Sequence, residues 1–407
     1  MDPSPGVTQS EWLAELAGSQ QMAAQLFGRT EAQQRELGYF HTLKEICQQP
    51  WTWPRTAERM LASREALAGW LAGAKSLVFT GSGSSEYAGD CVRSPLQNEL
   101  GIAVESISGG ALLMQGAKAL PVGRPGLLVS LARSGNSPES AGAVKILVDS
   151  EPAYRHLVVT CNENGSLAKT WRNHQDLQVI ALPPETNDES LVMTSSFTNL
   201  TLAARFLGML DRPDHYRKLC AALSGVAQGL IAGHFDALGK IASTGFRRAV
   251  FLGSGSRYAA SREAALKMLE MTSGRITTIC ESYLGLRHGP MSFVHEDTLI
   301  VCHLSSDPTT RAYELDLLAE LDRKKLGLSK LMVGENVPDA AVRYGDLVVQ
   351  CPGLSALGDD EAATVYVVVA QLLAFFRCLE EGLQPDSPSE GGVINRVVES
   401  FPLHTLS

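Results

Sequence analysis

Along most of the chain, short apolar runs alternate with longer segments in which apolar residues recur at helical spacing. The short runs are apolar throughout, as in strands that are buried on both faces of a parallel, helix-covered sheet. The pattern therefore predicts an α/β fold of doubly wound parallel sheets. The predicted helical stretches are Arg55–Ala74, Ser137–Ser150, Ser195–Leu210, Arg257–Thr272, Thr310–Leu326 and Asp360–Glu381.

The chain repeats itself. "LVFTGSGSSEYAG" in the first half matches "AVFLGSGSRYAAS" in the second, and "LLVSLARSG" matches "LIVCHLSSD", both with an offset of 172 residues. Four apolar runs recur in the same order: those from Leu77, Leu127, Leu157 and Leu177 are followed by those from Ala249, Leu299, Leu331 and Leu347. Four matches in register indicate an internal duplication, with one α/β domain in each half.

The repeat suggests a domain plan. We expect a helical N-terminal lead, two α/β domains joined by a helical connection around Asp211–Ser243, and a tail rich in Pro, Gly and Ser. The corresponding ranges are 1–53, 54–215, 216–385 and 386–407.

Composition and charge narrow the function classes. The 407 residues are 44% hydrophobic and 19% charged, which argues against disorder. A net charge of −9 without a basic run makes nucleic acid and anionic membranes poor partners. The apolar run Thr364–Phe376 is too short to span a bilayer and is predicted to be a buried core helix.

The cysteines and the N-terminus favour the cytoplasm. Eight scattered cysteines without a CxxC pair suggest reduced thiols and no structural zinc. The N-terminal segment has neither a basic region nor an apolar core, so we expect no signal peptide. No cluster of His and Cys at metal-ligand spacing is visible, and no metal or other cofactor is expected.

Two glycine-rich turns, Gly81–Glu86 and Gly253–Tyr258, lead from an apolar run into a helical stretch. Free N–H groups and the helix dipole make such a turn an anion site. Neither turn is GxGxxG, and no Gly-Lys-Ser/Thr follows, so nucleotide binding is disfavoured. In the first turn, Ser84 and Ser85 are candidate phosphate ligands.

Two further loops of the first half carry hydroxyl groups. "SLARSGNSPES" supplies Arg133, Ser134, Asn136 and Ser137, and "DESLVMTSSFTN" supplies Thr194, Ser195 and Ser196. For any one of these loops alone, the Ser and Asn residues are more simply explained as helix N-caps. Three such loops at one edge of a parallel sheet, where ligands collect, favour a phosphate site. The second-half counterpart "HLSSDPTT" is the poorer candidate, so the first half is the predicted phosphate binder.

Glu263, Lys267 and Glu270 stand at i, i+4 and i+7 and therefore share one stripe of a helix. A solvated charged face is the simpler explanation. The rest of this helix is apolar, however, which predicts that the helix is mostly buried. Buried charges need partners or a functional role. One carboxylate of the set is a candidate general base. His288, within "RHGP", lies at a predicted turn where its ring can reach a ligand.

Together these motifs resemble the sugar isomerase (SIS) family. The match extends from "HTLKEICQQPWTW" to "NRVVES", and the E-x-x-x-K-x-x-E helix followed by HGP is its specific part. The sequence is similar to the isomerase domain of glucosamine-6-phosphate synthase and, more closely, to AgaS-type amino-sugar-phosphate deaminase/isomerases.

The resemblance implies roles for individual residues. Ser85, Ser134 and Ser137 would contact the sugar phosphate, and Thr194 would contact a sugar hydroxyl. Glu270 would move a proton between C1 and C2, supported by Glu263 and Lys267. His288 would open the sugar ring, and in the family it is often donated across a dimer interface, which implies a homodimer or a higher homo-oligomer.

Some positions depart from the family pattern. The phosphate loop, commonly SQSGET, here has Ala132 in place of a hydroxyl residue and gains a cation at Arg133. The tail lacks the lysine of the synthase, and Arg396 is a candidate substitute. The glutaminase domain of the synthase is also expected to be absent, because no cysteine follows Met1.

Without an internal ammonia supply, the expected direction is catabolic. We predict conversion of a hexosamine 6-phosphate, galactosamine 6-phosphate first, to a ketohexose 6-phosphate and ammonia. A plain aldose–ketose isomerase of the tagatose 6-phosphate type would use the same base and remains an alternative. A sugar-phosphate sensor is the alternative from another class, although a sensor would not need Glu263, Lys267 and Glu270.

Overall fold

The computed structural model describes residues 8–404, which form two compact units. The first-half unit contains residues 52–188, 195–220 and 392–404. The second-half unit contains residues 8–51, 189–194 and 221–391. The expectation of no signal peptide rests partly on residues 1–7, which lie outside the described residues.

The longer helices are numbered in chain order. They are α1 (Gln9–Ser19), α2 (Gln21–Phe27), α3 (Glu31–Glu36), α4 (Phe40–Leu61), α5 (Arg64–Leu71), α6 (Ser84–Leu100), α7 (Gly109–Gln115), α8 (Pro138–Ser150), α9 (Ser166–Trp171), α10 (Ser195–Arg205), α11 (Pro213–Ala242), α12 (Ser256–Met271), α13 (Pro308–Arg323) and α14 (Ala363–Glu380). Short 3₁₀ helices include Gly285–His288 and Pro290–Phe293.

Each unit contains one five-stranded parallel sheet. The strands are β1 (Ser76–Gly81), β2 (Ala103–Ser108), β3 (Gly126–Ala132), β4 (Tyr154–Thr160), β5 (Leu177–Ala181), β6 (Arg248–Leu252), β7 (Thr277–Glu281), β8 (Thr298–His303), β9 (Ser329–Gly334) and β10 (Leu347–Gln350). The first sheet has the order β2-β1-β3-β4-β5, and the second has β7-β6-β8-β9-β10. The two orders are the same, element for element, along the chain.

The central strands confirm the interpretation of the apolar runs. Every residue of β1, β3 and β8 is buried, because helices cover both faces of a parallel sheet. Leu77 of β1 pairs in register with Leu127 of β3, and Ala249 of β6 pairs with Leu299 of β8. These are the two pairs of runs that repeat in the sequence.

The edge strands β2 and β7 were not predicted. Both are only half-buried and carry mixed polar and apolar residues, so they lack a continuous apolar run. Helix α6 was not among the predicted helical stretches either. Its interior contains Gly89 and Pro95, which weaken the helical signal.

The apolar helix α14 packs against α12 in the second-half unit. By length and composition it could cross a membrane, but 89% of its 18 residues are buried within the structure. It is a core helix, as the sequence predicted.

The N-terminal lead packs into the second-half unit. Asp236 of α11 accepts hydrogen bonds from the backbone N–H groups of Gln21 and Met22, at 2.7 and 2.8 Å, and so caps the start of α2. The amide of Gln20 donates to the carbonyl of Ala232 at 2.8 Å. The lead therefore shares a core with the second sheet.

Candidate active site

The turn from β1 into α6 places Ser84 and Ser85 at the start of the helix. Gly83 precedes them with φ +56°, a conformation that favours glycine. A Cβ on Gly81 would lie 2.6 Å from the Cβ of Ser85, so the turn closes only with glycine there. Both serines are buried. The N–H groups of Ser85 and Glu86 donate to the carbonyls of Ser82 and Gly83, at 3.3 and 2.9 Å, which tightens the turn.

The turn from β3 into α8 contains Ser134, Gly135, Asn136 and Ser137. Gly135 has φ +63°, which allows the chain to reverse direction after the strand. Ser137 occupies the N-cap position of α8, yet its side chain makes no capping hydrogen bond. Ser137 is thus the N-cap residue that the simpler explanation expects, but its hydroxyl does not cap the helix. Its hydroxyl is available to another acceptor or donor.

Asn136 has a structural partner. Its side-chain oxygen accepts a hydrogen bond from the backbone N–H of Ser166 at 2.8 Å, at the start of α9. The hydroxyl of Ser166 donates to the carbonyl of Gly135 at 2.9 Å. These contacts fix the shape of the loop, and they give Asn136 a role in holding the turn.

The turns after β1 and β3 flank the point where the strand order reverses. β1 and β3 are neighbours in the sheet, but their connections run to opposite edges. In open α/β sheets, ligands bind in the crevice beyond the strand ends at such a point. The structure thus brings Ser84, Ser85, Ser134 and Ser137 to one topological switch point of the first-half unit.

Arg133 and Arg396 are joined through the backbone of the tail. The guanidinium of Arg133 donates to the carbonyl oxygen of Arg396 at 2.5 Å. The guanidinium of Arg396 donates to the carbonyl of Asp188 at 2.5 and 2.8 Å and to the amide oxygen of Asn187 at 3.0 Å. Both cations therefore hold protein groups, and the C-terminal segment is anchored beside the β3 turn. Leu403 also contacts this unit, near Gly142 of α8.

The loop that precedes α10 is the third predicted anion site, and it binds the carboxylate of Asp188. Asp188 accepts hydrogen bonds from the backbone N–H groups of Ser195 and Ser196, at 3.1 and 2.9 Å, and from the Ser196 hydroxyl at 2.5 Å. The hydroxyl of Ser195 is fully buried and accepts from the amide of Asn199 at 3.2 Å. The first turn of α10 is already satisfied by Asp188, so these contacts do not favour the assignment of Ser195 to substrate, which stays a prediction.

Thr194 lies in the segment 189–194, which belongs to the second-half unit together with the N-terminal lead. The sequence did not predict this connection. Glu45 of α4 accepts hydrogen bonds from the N–H groups of Glu189 and Ser190, at 2.5 and 3.2 Å, and from the Ser190 hydroxyl. The carbonyl of Thr194 accepts from the amide of Gln371 at 3.1 Å. The side chain of Thr194 is buried. Glu45 and Gln371 thus determine where Thr194 lies.

The acid–base residues lie on α12, which begins after Gly255 with φ +58°. The Glu263 and Lys267 side chains are fully buried, and the Lys267 ammonium lies 3.4 Å from Glu263 Oε1. Lys267 also donates to Glu270. The solvated-face alternative is therefore wrong, and the predicted burial of the stripe is confirmed. The apolar residues of α12, which suggested burial, lie on a helix that packs against α14 and β7.

Glu270 is the accessible member of the set. Its side chain is 24% exposed, whereas those of Glu263 and Lys267 are 0% exposed. The buried Lys267 ammonium contacts both carboxylates and fixes the position of Glu270. This arrangement presents one carboxylate to solvent from a fixed position, which is what a general base requires.

His288 ends the 3₁₀ helix Gly285–His288 and is exposed. Gly289 follows with φ +123°, so the chain turns sharply after the ring. The neighbouring Arg287 donates to Glu320 at 2.7 Å, which anchors this segment to α13. The histidine therefore stands on a tethered loop at the surface of its unit.

The cysteine thiols do not form a nucleophilic centre. All eight are free. Burial raises the pKa of Cys161, close to Arg133 and Arg396, to about 12. Burial likewise raises the pKa of Cys47 and of Cys351 to about 12. These thiols stay protonated near neutral pH.

Comparison with known proteins adds the family. No protein-family model matched the chain. AgaS of Streptomyces coelicolor, provisionally named a D-galactosamine-6-phosphate deaminase, is 37% identical over 373 residues, which cover 90% of this chain and 96% of that protein. The D-galactosamine-6-phosphate deaminase AgaS of Escherichia coli is 34% identical over 89% of this chain and 95% of that protein. The chain belongs to the AgaS family.

Solved structures agree with the AgaS assignment. The tagatose-6-phosphate ketose/aldose isomerase of Escherichia coli superimposes with a TM-score of 0.81 at 31% identity, over 89% of this chain and 96% of that one. The C-terminal domain of glucosamine-fructose-6-phosphate aminotransferase from Francisella tularensis has a TM-score of 0.73 at 19% identity, over 86% and 98% of the two chains, and shows the shared fold. The fold is that of tandem SIS domains, as the sequence predicted.

Proposed function

We propose that this AgaS-family protein is an amino-sugar-phosphate deaminase, which converts galactosamine 6-phosphate to a ketohexose 6-phosphate and ammonia. The observation that carries the proposal is the α12 triad, in which buried Lys267 contacts both carboxylates and only Glu270 reaches solvent. The names of the Streptomyces and Escherichia relatives support the amino-sugar substrate.

In the proposed reaction, Glu270 removes the C2 proton of the open-chain aldehyde. The C2–H electron pair forms the C1=C2 bond, the C1=O π bond breaks, and the C1 oxygen takes a proton from solvent, which gives an enolamine. Return of the proton to C1 converts the C2 amine into a protonated ketimine. Water then adds to C2, and ammonia leaves, so the reaction consumes one water and is a hydrolysis. Each proton transfer is assisted by a positioned base, for which an acceleration of roughly 10²–10⁴-fold is typical.

The phosphate is assigned to the switch point of the first-half unit. Ser85, Ser134 and Ser137 lie on the two turns that flank it, and the N-cap serine of α8 caps nothing in its own helix. Hydroxyl groups and helix N–H groups bind a phosphate monoester without a cation. Thr194 is proposed to contact a sugar hydroxyl.

We propose that His288 assists ring opening in the site of a second copy of the chain, so that the enzyme is a homo-oligomer. Its exposure on an anchored loop suits a residue that acts on a neighbouring subunit. We further propose that the enzyme works in the cytoplasm, where the eight thiols remain reduced.

An aldose–ketose isomerase is the second candidate, favoured by the isomerase name of the Escherichia coli structure. The two reactions share the base and differ in the group at C2. A panel of galactosamine 6-phosphate, glucosamine 6-phosphate and tagatose 6-phosphate separates them. Ammonia release from a hexosamine phosphate is expected. Isomerisation of tagatose 6-phosphate without ammonia from either amino sugar would reject the deaminase.

A further inference from the structure

The second-half unit has a switch point of its own, between β6 and β8, and a carboxylate lies in it. The hydroxyl of Ser305 donates to Asp359 Oδ2 at 2.5 Å, and the backbone N–H of Ser306 donates to Asp359 Oδ1 at 2.7 Å. The guanidinium of Arg257 lies 3.2 Å from Asp359 Oδ2. Three donors from two different turns therefore converge on one carboxylate.

Two of these donors, Ser306 and Arg257, stand at the repeat positions of proposed phosphate ligands. Ser306 lies 172 residues after Ser134, and Arg257 lies 172 residues after Ser85. The strand orders of the two sheets are the same, so each pair occupies the same place relative to its switch point. The second half thus retains an anion-binding geometry and replaces one hydroxyl with a guanidinium.

Arg257 is held rigidly at this place. Its side chain is buried, and it donates to Glu314 at 2.8 Å and to the carbonyl of His303 at 2.9 Å. The other oxygen of Glu314 accepts from the N–H of Ser305 at 2.7 Å. Glu314 faces the back of the guanidinium, and Asp359 supplies the second negative charge. A buried cation fixed in this way is a strong ligand for an oxyanion.

Asp359 enters this crevice from the loop that precedes α14. Its side chain is 25% exposed, so the crevice opens to solvent on one side. The neighbouring Asp360 turns elsewhere and accepts from the hydroxyl of Ser256 at 2.6 Å. One residue of the loop therefore fills the anion position, and the next one binds the hydroxyl of Ser256, the first residue of α12.

We infer that the second-half switch point is a binding site for phosphate-type oxyanions that the chain keeps occupied with the carboxylate of Asp359. Each chain then has one phosphate site open to a sugar phosphate, in the first half, although the duplicated fold provides two. The inference goes beyond the proposed reaction and does not depend on the deaminase activity.

The test is the Asp359→Gly variant titrated with inorganic phosphate. Isothermal titration should show one more phosphate site per chain than in the unaltered protein. The melting temperature should rise with phosphate concentration more steeply, because a ligand that binds only the folded state stabilises it. Ser305→Ala in the Asp359→Gly background should weaken this added site several-fold.

Asp360→Gly is the matched control, since it makes the same substitution and loses the same charge one residue away. It should gain no phosphate site. If Asp359→Gly does not fold without phosphate, Asp359→Ser provides a smaller change that also clears the anion position. A folded Asp359→Gly or Asp359→Ser protein without an added site would overturn the inference, as would an equal gain in Asp360→Gly.

Phosphate binding by the unaltered protein distinguishes a failure of this inference from a failure of the proposed function. Phosphate binding at one site, lost in a Ser134→Ala/Ser137→Ala variant, supports the first-half assignment. An unaltered protein that binds no phosphate counts against that assignment, while a gain of one site in Asp359→Gly still supports the inference.

Discussion

The Lys267 ammonium lies 3.4 Å from Glu263 Oε1, and neither side chain is exposed to solvent. A charge in such a place must be compensated, because an isolated buried ion costs several kcal/mol. Glu263 and Lys267 compensate one another, and Lys267 also binds Glu270 at the solvent edge. The pair therefore positions a carboxylate at the solvent edge, where it is 24% exposed.

Glu270→Gln should lower kcat by roughly 10²–10⁴-fold, because the amide cannot accept the C2 proton. The substrate KM should change little, since the amide keeps the shape of the carboxylate. Ammonia release under saturating galactosamine 6-phosphate is the measurement, and the melting temperature checks the fold. Full turnover in this variant would remove Glu270 from the catalytic assignment.

Lys267→Met should destabilise the protein by about 3–5 kcal/mol, because it leaves a buried carboxylate without its cation. The double variant Glu263→Gln/Lys267→Met removes both charges and should recover most of that stability. Urea denaturation measures both. If the Lys267 ammonium orients Glu270, both variants should be inactive. Activity in the double variant would show that Glu263 and Lys267 contribute to stability alone.

Ser137→Ala should raise the KM for the sugar phosphate roughly tenfold or more, the effect of losing a hydrogen bond to a charged group. Because Ser137 makes no capping hydrogen bond, the free energy of unfolding should change by less than about 0.5 kcal/mol. Ser108→Ala is the matched control: Ser108 does cap α7, through the N–H of Ala111 at 3.1 Å. That variant should lose about 0.5–2 kcal/mol. The reverse pattern would return Ser137 to the role of a cap.

Asp188→Ala should destabilise the protein by about 2 kcal/mol or more, because it leaves two backbone N–H groups and a hydroxyl of α10 without their acceptor. In contrast, Ser195→Ala should leave the KM for the sugar phosphate unchanged. Steady-state kinetics and urea denaturation measure the two effects. A raised KM in Ser195→Ala would restore the sequence-based assignment of Ser195 to substrate.

His156→Leu should make the protein less sensitive to acid. Burial lowers the pKa of His156 from its usual 6.5 to about 4, and neither ring nitrogen has a hydrogen-bond partner. The unfolded chain therefore binds a proton that the folded chain rejects between pH 6.5 and pH 4, so stability falls as the pH falls through this window. At pH 5 the loss from this residue is about 2 kcal/mol.

The measurement for His156 is the free energy of unfolding at pH 7.5 and pH 5. The difference between the two pH values should be smaller in His156→Leu by about 2 kcal/mol. An exposed histidine on α11, changed as His215→Gln, is the control and should leave the difference as it is. An unchanged pH dependence in His156→Leu would show that the buried ring does titrate in the folded state.

Local sequence patterns predicted much of the fold and part of the site. The apolar runs located the central strands β1, β3, β6 and β8, because strands buried on both faces carry mostly apolar residues. The spacing of Glu263, Lys267 and Glu270 placed three charges on one helical stripe, because the α-helix repeats every 3.6 residues. Edge strands β2 and β7 escaped notice, since a half-buried strand mixes polar and apolar residues.

Tertiary structure decided which anion turns are open. Asp188 fills the turn before α10, and Asp359 fills the one between β8 and α13, although the sequence shows similar hydroxyl groups in all of them. Asp359 stands 54 residues from Ser305, and Arg396 stands 208 residues from Asp188. By itself the sequence determined the repeat, the parallel sheets and the chemistry of the acid–base helix, because these follow from short-range periodicity. Which of these turns holds a carboxylate of the chain depends on contacts between distant residues, which only folding creates.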